Sequence, residues 1–160
     1  MSRRAQALAD RLEQGAQALA VFAEGLSDAE WRMSVPKDGR TVGVIVHHVA
    51  SVYPLEVQLA QSVAAGKPVA GVTWDAVAHM NAEHAQEHRA VGKQETLALL
   101  RRNSKAAADT VRAFSDEQLD AAALVSLNAE APLTTQFLVE DHALRHSFHH
   151  LARIRAAVGR

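Results

Sequence analysis

Residues 41–68 read TVGVIVHHVASVYPLEVQLAQSVAAGKP, and this segment decides the fold that the sequence predicts. Its apolar stripe has helical spacing and consists of Ile45, Val52, Leu55, Leu59 and Val63. Thr41 is a favourable N-cap, while Gly66 and Pro68 end the pattern just after Ala65. The segment therefore predicts one long helix, kinked at Pro54 because proline removes a backbone donor.

Helical patterns continue on both sides of this segment. Upstream, steps of three and four predict an amphipathic helix that ends near Gly25, with apolar positions Ala5, Leu8, Leu12, Gly15, Leu19, Phe22 and Leu26. Downstream, Thr73 caps a third helix that continues, with a bend or break near Gly92, to about Phe114. A last helix is predicted over residues 133–158.

Shorter signals complete the predicted architecture. The segments 27–30 and 115–118 are capping-box patterns that open short helical turns. No run alternates apolar and polar residues between hairpin turns, so no strand is predicted. We therefore expect an all-α, antiparallel four-helix bundle with short additional helical turns, formed as a single domain over residues 1–160.

Composition excludes several classes of protein. The chain has no cysteine, which excludes disulfides, zinc fingers and thiol nucleophiles. A formal net charge of −1 gives no electrostatic footprint for nucleic acid. The basic start at residues 1–4 precedes no apolar signal region, and no stretch is expected to reach the roughly 18 apolar residues of a membrane span. A cytoplasmic protein without membrane or nucleic-acid partners is the expectation.

Nine histidines stand against a single tyrosine, and they fall in three clusters: 47 and 48; 79, 84 and 88; 142, 146, 149 and 150. His48 lies inside the apolar stripe, so it is either a core histidine or a ligand. His84 and His88 have polar neighbours, which favours a solvent-exposed face for that pair.

The last cluster contains two histidines with spacing i, i+4. His146 and His150 lie about 40° apart on one helix face, so both rings can reach one ion, and His142 with His146 has the same spacing. The pair borders the apolar face of its helix. A metal site and a solvated histidine-rich face both remain open on this evidence.

Two motifs add a resemblance. Residues 41–50, TVGVIVHHVA, look like a threonine-capped helix leading to a histidine, and residues 146–155, HSFHHLARIR, are similar to an H-x-x-H-H-x-x-Q-I signature. Both resemble the DinB/YfiT-like superfamily of metal-binding four-helix bundles, which includes mycothiol-dependent maleylpyruvate isomerases and bacillithiol transferases. The order of segments agrees over nearly the whole chain.

The resemblance implies a metal site of three histidines: His48, His146 and His150. His149 would then lie outside the ligand set. The chain departs from the family pattern at Arg40, where tryptophan is common, and at Arg153, where glutamine is usual. It also has Ser51, Val52 and Tyr53 where an acidic residue often follows the first ligand.

Three imidazoles leave coordination positions open for water or a thiolate. Zinc is the first choice for one divalent ion, while nickel, iron and manganese also suit such ligands. The resulting expectation is a metal-dependent transferase acting with a low-molecular-weight thiol, or a hydrolase, on a small-molecule substrate. A non-catalytic metal-binding protein of stress or detoxification, and a helical association module with an incidental histidine-rich face, are the alternatives.

Acid–base partners are harder to assign from sequence. Tyr53, His142 and His149 are the catalytic candidates, with Glu140 as a further proton carrier. Trp31 and Trp74 are expected to close the ends of the bundle. Exposed apolar edges on such bundles allow a homodimer, but no residue pattern fixes the oligomeric state.

Overall fold

The computed structural model describes residues 2–160 and is predominantly helical. The helices are α1 Arg3–Glu24, α2 Asp28–Trp31, α3 Val42–Ala64, α4 Trp74–Glu87, α5 Lys93–Arg112, α6 Asp116–Asp120, α7 Thr135–Leu138 and α8 Arg145–Val158. A π-helical turn, Val139–Leu144, joins α7 to α8. Strands β1 (Ala122–Val125) and β2 (Ala131–Thr134) form a small antiparallel hairpin around a 3-10 turn.

Helices α1, α3, α5 and α8 form the bundle, so the predicted four-helix fold is confirmed. Helix α5 packs against both α1 and α3, and α8 packs mainly against α1. The core is filled by aliphatic side chains with no solvent exposure, among them Leu12, Leu19, Ile45, Leu97, Leu100 and Ile154. Each such side chain stabilises the fold by about 1.5–3 kcal/mol relative to an exposed position.

The helix starts follow local signals in the sequence. Thr41 caps α3 by accepting a hydrogen bond from the backbone N–H of Val44. Ser27 and Ser115 form the two predicted capping boxes, which open α2 and α6. The predicted break is also confirmed, because α4 ends before Gly92 and α5 begins just after it. These features depend on neighbouring residues alone, which explains their success.

The prediction of no strands was wrong. Ala122 pairs with Thr134 and Val125 with Ala131, giving strands of only four residues. Such strands are too short to show alternation, and the turn lacks the usual glycine signal because Ala129 and Glu130 adopt left-handed conformations. The final helical segment consequently begins at Thr135, capped by Thr134, rather than near Leu133.

Helix α3 is a core helix, although it is apolar enough over 18 residues to pass a composition test for a membrane span. That property contradicts the expectation that no segment reaches this threshold. In the structure, 61% of the residues in this window are buried within the protein. Helix α4 differs, because none of its residues is buried and it lies on the outside of α3.

Candidate metal centre

Three histidine rings from α3 and α8 converge on one point. His48 is buried on α3, and its Nε2 lies 3.2 Å from Nε2 of His146. His146 and His150 lie one helical turn apart on α8, with ring centroids 4.8 Å apart. The potential ligand atoms of the three residues all lie within 4.8 Å of one another. Residues separated by 98 positions in the chain thus share one site.

Burial keeps two of these rings in the neutral form. Desolvation lowers the pKa of His48 to about 3 and that of His150 to about 2, and the neighbouring histidines add to both shifts. Both rings are therefore unprotonated at neutral pH. The neutral imidazole is the form that binds metal ions.

Glu56 orients the third ring. This buried carboxylate, on α3, lies 2.5 Å from Nδ1 of His146 and can accept its proton, which directs the lone pair of Nε2 towards His48. Sequence reasoning missed Glu56. The available signal was a single acidic residue inside the apolar run of α3, where a charged side chain is seldom buried without a partner.

The three histidines fit a divalent ion. Two nitrogens bound tetrahedrally at about 2.1 Å lie roughly 3.4 Å apart, close to the 3.2 Å observed between His48 and His146. Within residues 2–160, Nδ1 of His150 is buried without a hydrogen-bond partner. Such a donor set leaves at least one coordination position for an exchangeable ligand.

A cavity of about 410 Å³ opens beside the three histidines. Its polar wall includes Arg40, Asp141, His142, Arg145 and His149. Its apolar wall comes from α3, α4 and the segments that flank them: Val52, Leu55, Leu59, Val72, Trp74, Val77, Met80 and Leu127. A volume of this size and an apolar lining with a few polar groups are typical of small-molecule sites.

A second histidine cluster lies between α3 and α4. Nδ1 of His47 lies 2.8 Å from Nε2 of His84, and the His88 ring stacks on His47 with centroids 4.0 Å apart. Burial, followed by the effect of His47, lowers the pKa of His84 to about 4. The expectation of a solvent-exposed pair was wrong, because this face of α4 lies against α3.

Comparison with known proteins gives the family. The model of the family described as mycothiol-S-transferase matches residues 7–157 of the chain. The chain belongs to this family. Among solved structures, YfiT from Bacillus subtilis matches with a TM-score of 0.76 and 19% identity, over 99% of this chain and 89% of that one. YfiT is described as a probable metal-dependent hydrolase with an unusual four-helix bundle topology. No curated protein matches the chain.

Within this mycothiol-S-transferase family, the two arginine departures noted above meet at one carboxylate. Arg40 forms a two-pronged ion pair with Asp38 at 2.6 and 2.9 Å, and Arg153 lies 3.1 Å from the same side chain. The Arg40 hydrogen bond, assisted by Arg153, holds the pKa of Asp38 at about 2. Arg40 also lines the cavity, and one of its guanidinium nitrogens is buried without a partner among the described residues.

The structure separates the acid–base candidates by position. His142, on the π-helical turn, and His149, on α8, both line the cavity. Burial and the nearby Arg145 lower the pKa of His149. Tyr53 is fully buried, lies 2.5 Å from Ser147 and does not line the cavity. Glu140 pairs with Arg11 on the surface.

The two tryptophans have different environments. Trp31 is buried against Gly43, and its indole N–H donates to the carbonyl oxygen of Val91 at 3.1 Å. Trp74 is 60% exposed, lines the cavity and donates to the carbonyl oxygen of Leu127. The expectation that Trp74 closes a bundle end was therefore wrong, because α4 places this ring on the cavity wall.

Proposed function

We propose that this protein is a divalent-metal-dependent enzyme that transfers the sulfur of a low-molecular-weight thiol, with mycothiol as the first candidate, to a small electrophile. The observation that carries the proposal is the convergence of His48, His146 and His150 beside the cavity. The family description supplies the thiol. A small-molecule substrate accounts for a cavity with mixed polar and apolar walls.

His48, His146 and His150 would hold the ion, with Glu56 fixing the ring of His146. A divalent ion at this position supplies a Lewis acid that favours the thiolate form of a thiol, or the hydroxide form of water, at neutral pH. Zinc is the first candidate, since neutral imidazoles suit it, and nickel, iron and manganese are alternatives.

The chain's own residues have separate roles in the transfer. A new carbon–sulfur bond forms as the thiol proton leaves, and His149 and His142 lie on the cavity wall where they can accept that proton. The apolar wall, including Trp74 and Leu55, excludes water from the electrophile. Arg40 places a cationic group on the same wall, which suits an anionic group on either substrate.

Hydrolysis is the second candidate function. The same histidine site can activate water instead of a thiol. The likeness to YfiT establishes only the shared fold, but the description of YfiT as a probable metal-dependent hydrolase makes this alternative specific. A metal-binding protein without turnover is the remaining possibility.

The test uses untagged protein, stripped of metal and reloaded with zinc, nickel, iron or manganese. Mycothiol, bacillithiol and glutathione are each offered with a panel of electrophiles, and hydrolysis is measured without thiol. We expect metal-dependent conjugation that is lost in His48→Ala and retained in His79→Ala, a variant of an exposed histidine on α4. Metal-dependent hydrolysis without thiol would favour the second candidate, and metal binding without turnover would favour the third.

A further inference from the structure

Helix α4 is held to the protein by unusually little buried surface. None of its residues is buried, although it has 14 residues and supplies Trp74, Val77 and Met80 to the cavity wall. A helix without a buried face gains little of the packing energy that stabilises most helices in proteins. Some other interaction is needed to fix this part of the wall.

The second histidine cluster lies at this weak junction. His84 and His88 are spaced i, i+4 near the end of α4, and His47 faces them from α3. The potential ligand atoms of the three residues lie within 4.8 Å of one another. Two histidines on one helical turn and a third from a neighbouring helix form the same arrangement as His146, His150 and His48.

The polar atoms around this cluster leave lone pairs for an ion. The Ser51 hydroxyl donates to the carbonyl oxygen of His47 and lies 3.2 Å from Nε2 of His84. Nδ1 of His84 is buried and has no hydrogen-bond partner within residues 2–160. An ion bound by His47 and His84 would require their facing nitrogens to separate by about half an ångström, which partly exposed side chains can accommodate.

The two clusters are neighbours with separate donor atoms. His47 and His48 are consecutive on α3 and face different partners, His84 in one case and His146 in the other. The rings of His48 and His84 meet edge to face, with centroids 5.7 Å apart. Each cluster therefore has its own three histidines, and neither needs a ligand from the other.

We propose that His47, His84 and His88 bind a second divalent transition-metal ion, which fastens α4 to α3. Imidazole donors select zinc, nickel, cobalt or copper over magnesium or calcium. Binding at this site stabilises the arrangement of α4 that forms the cavity wall. The proposal stands without any catalytic activity, because it concerns metal content and the opening of one helix.

Metal stoichiometry tests the site directly. Untagged protein is stripped with chelator and equilibrated with zinc, and bound zinc per chain is measured by mass spectrometry after gel filtration. We expect two equivalents in the wild type and in the matched control His79→Ala, whose ring lies outside both clusters on the same helix. His88→Ala and His146→Ala should each bind one equivalent, and the double variant none.

Two results would overturn the second site: a single equivalent in wild-type protein, or two equivalents in folded His88→Ala. Circular dichroism establishes folding of each variant, and His84→Ala provides an independent replacement within the cluster. Two equivalents without thiol transfer or hydrolysis would support this site and refute the proposed enzyme, so the two proposals fail separately.

Hydrogen exchange tests the role of the ion in holding α4. Zinc at 100 times its dissociation constant should slow exchange of the amides in residues 74–87 by up to about 100-fold, where opening of α4 releases the ion. We expect this protection in wild type and in His146→Ala, but not in His88→Ala. Exchange in α4 that zinc leaves unchanged in wild-type protein would contradict the fastening role.

Discussion

Glu56 and His146 form the pair on which the orientation of the metal centre depends. The carboxylate lies 2.5 Å from Nδ1 of His146, so the other ring nitrogen is left to face His48. Carboxylates in this position raise the basicity of a histidine ligand and fix its ring. The pair explains how a half-buried histidine on α8 can act together with a buried one on α3.

Replacing Glu56 should weaken metal binding without removing any ligand. We expect Glu56→Ala to lower zinc affinity at the His48 site by about 10–100-fold, with Glu56→Gln showing a smaller loss because the amide oxygen can still accept the proton. Competition with a chromophoric chelator measures the change. Gln58→Ala, at an exposed position on the same helix, should retain wild-type affinity, and equal loss in both variants would contradict the assigned role.

Gly43 provides a residue-scale test of the packing that supports α3. A Cβ atom at this position would lie 2.6 Å from the Trp31 ring, too close for an unshifted structure. We expect Gly43→Ala to lower the free energy of unfolding by about 1–3 kcal/mol, as measured by urea denaturation. Gly25→Ala, whose Cβ would meet no atom within 3.7 Å, serves as control and should show no comparable loss.

Helix α4 is the element whose position determines the shape of the cavity. Its exposed Trp74 covers the apolar wall, and its indole N–H is held by Leu127. We expect Trp74→Ala to raise the KM for an apolar electrophile by about tenfold with little change in kcat, because the contact contributes to binding more than to chemistry. Steady-state kinetics measures both parameters.

The matched control for that variant is Val21→Ala, which removes an exposed apolar side chain from α1, outside the cavity lining. It should leave both kinetic parameters unchanged. A loss of kcat at unchanged KM in Trp74→Ala would indicate that α4 acts on the reacting groups instead of on substrate binding.

Elements differ in how far the sequence could predict them. The start of α3 at Thr41 and the capping boxes at Ser27 and Ser115 depend on local hydrogen bonds, so they could be predicted. The hairpin could not, because its strands are short and its turn uses Ala129 and Glu130 in left-handed conformations.

The site shows the same division between local and distant information. The i, i+4 spacing of His146 and His150 is visible in the sequence, and the family resemblance added His48. The roles of Glu56 and of the His47 cluster depend on how separate helices pack, so no local pattern contains them. Docking of α4 on α3 likewise decided that His84 is partly buried.

At the scale of the whole molecule, buried neutral histidines link stability to pH. His48 and His150 have pKa values of about 3 and 2, below the ordinary 6.5, so the unfolded chain takes up protons that the folded chain does not. Their contribution to stability is therefore present above about pH 6.5 and is lost as pH falls below it. Metal-free protein should become less stable towards acid over this range.

Urea denaturation of metal-free protein between pH 5 and 6.5 measures this linkage. Each histidine that remains neutral in the folded state adds up to about 1.4 kcal/mol per pH unit to the slope. His150→Gln should reduce the slope by up to that amount, while His79→Ala should retain it. An unchanged slope in His150→Gln would show that its ring is protonated in the folded protein.

The shared ion at His48, His146 and His150 is most directly tested by an anomalous-difference map from crystals of the zinc-loaded protein, collected on both sides of the zinc absorption edge. We predict a peak within about 2.1 Å of one nitrogen from each of these three rings. A map with no peak between them, or rings too far apart to share one ion, would contradict the account.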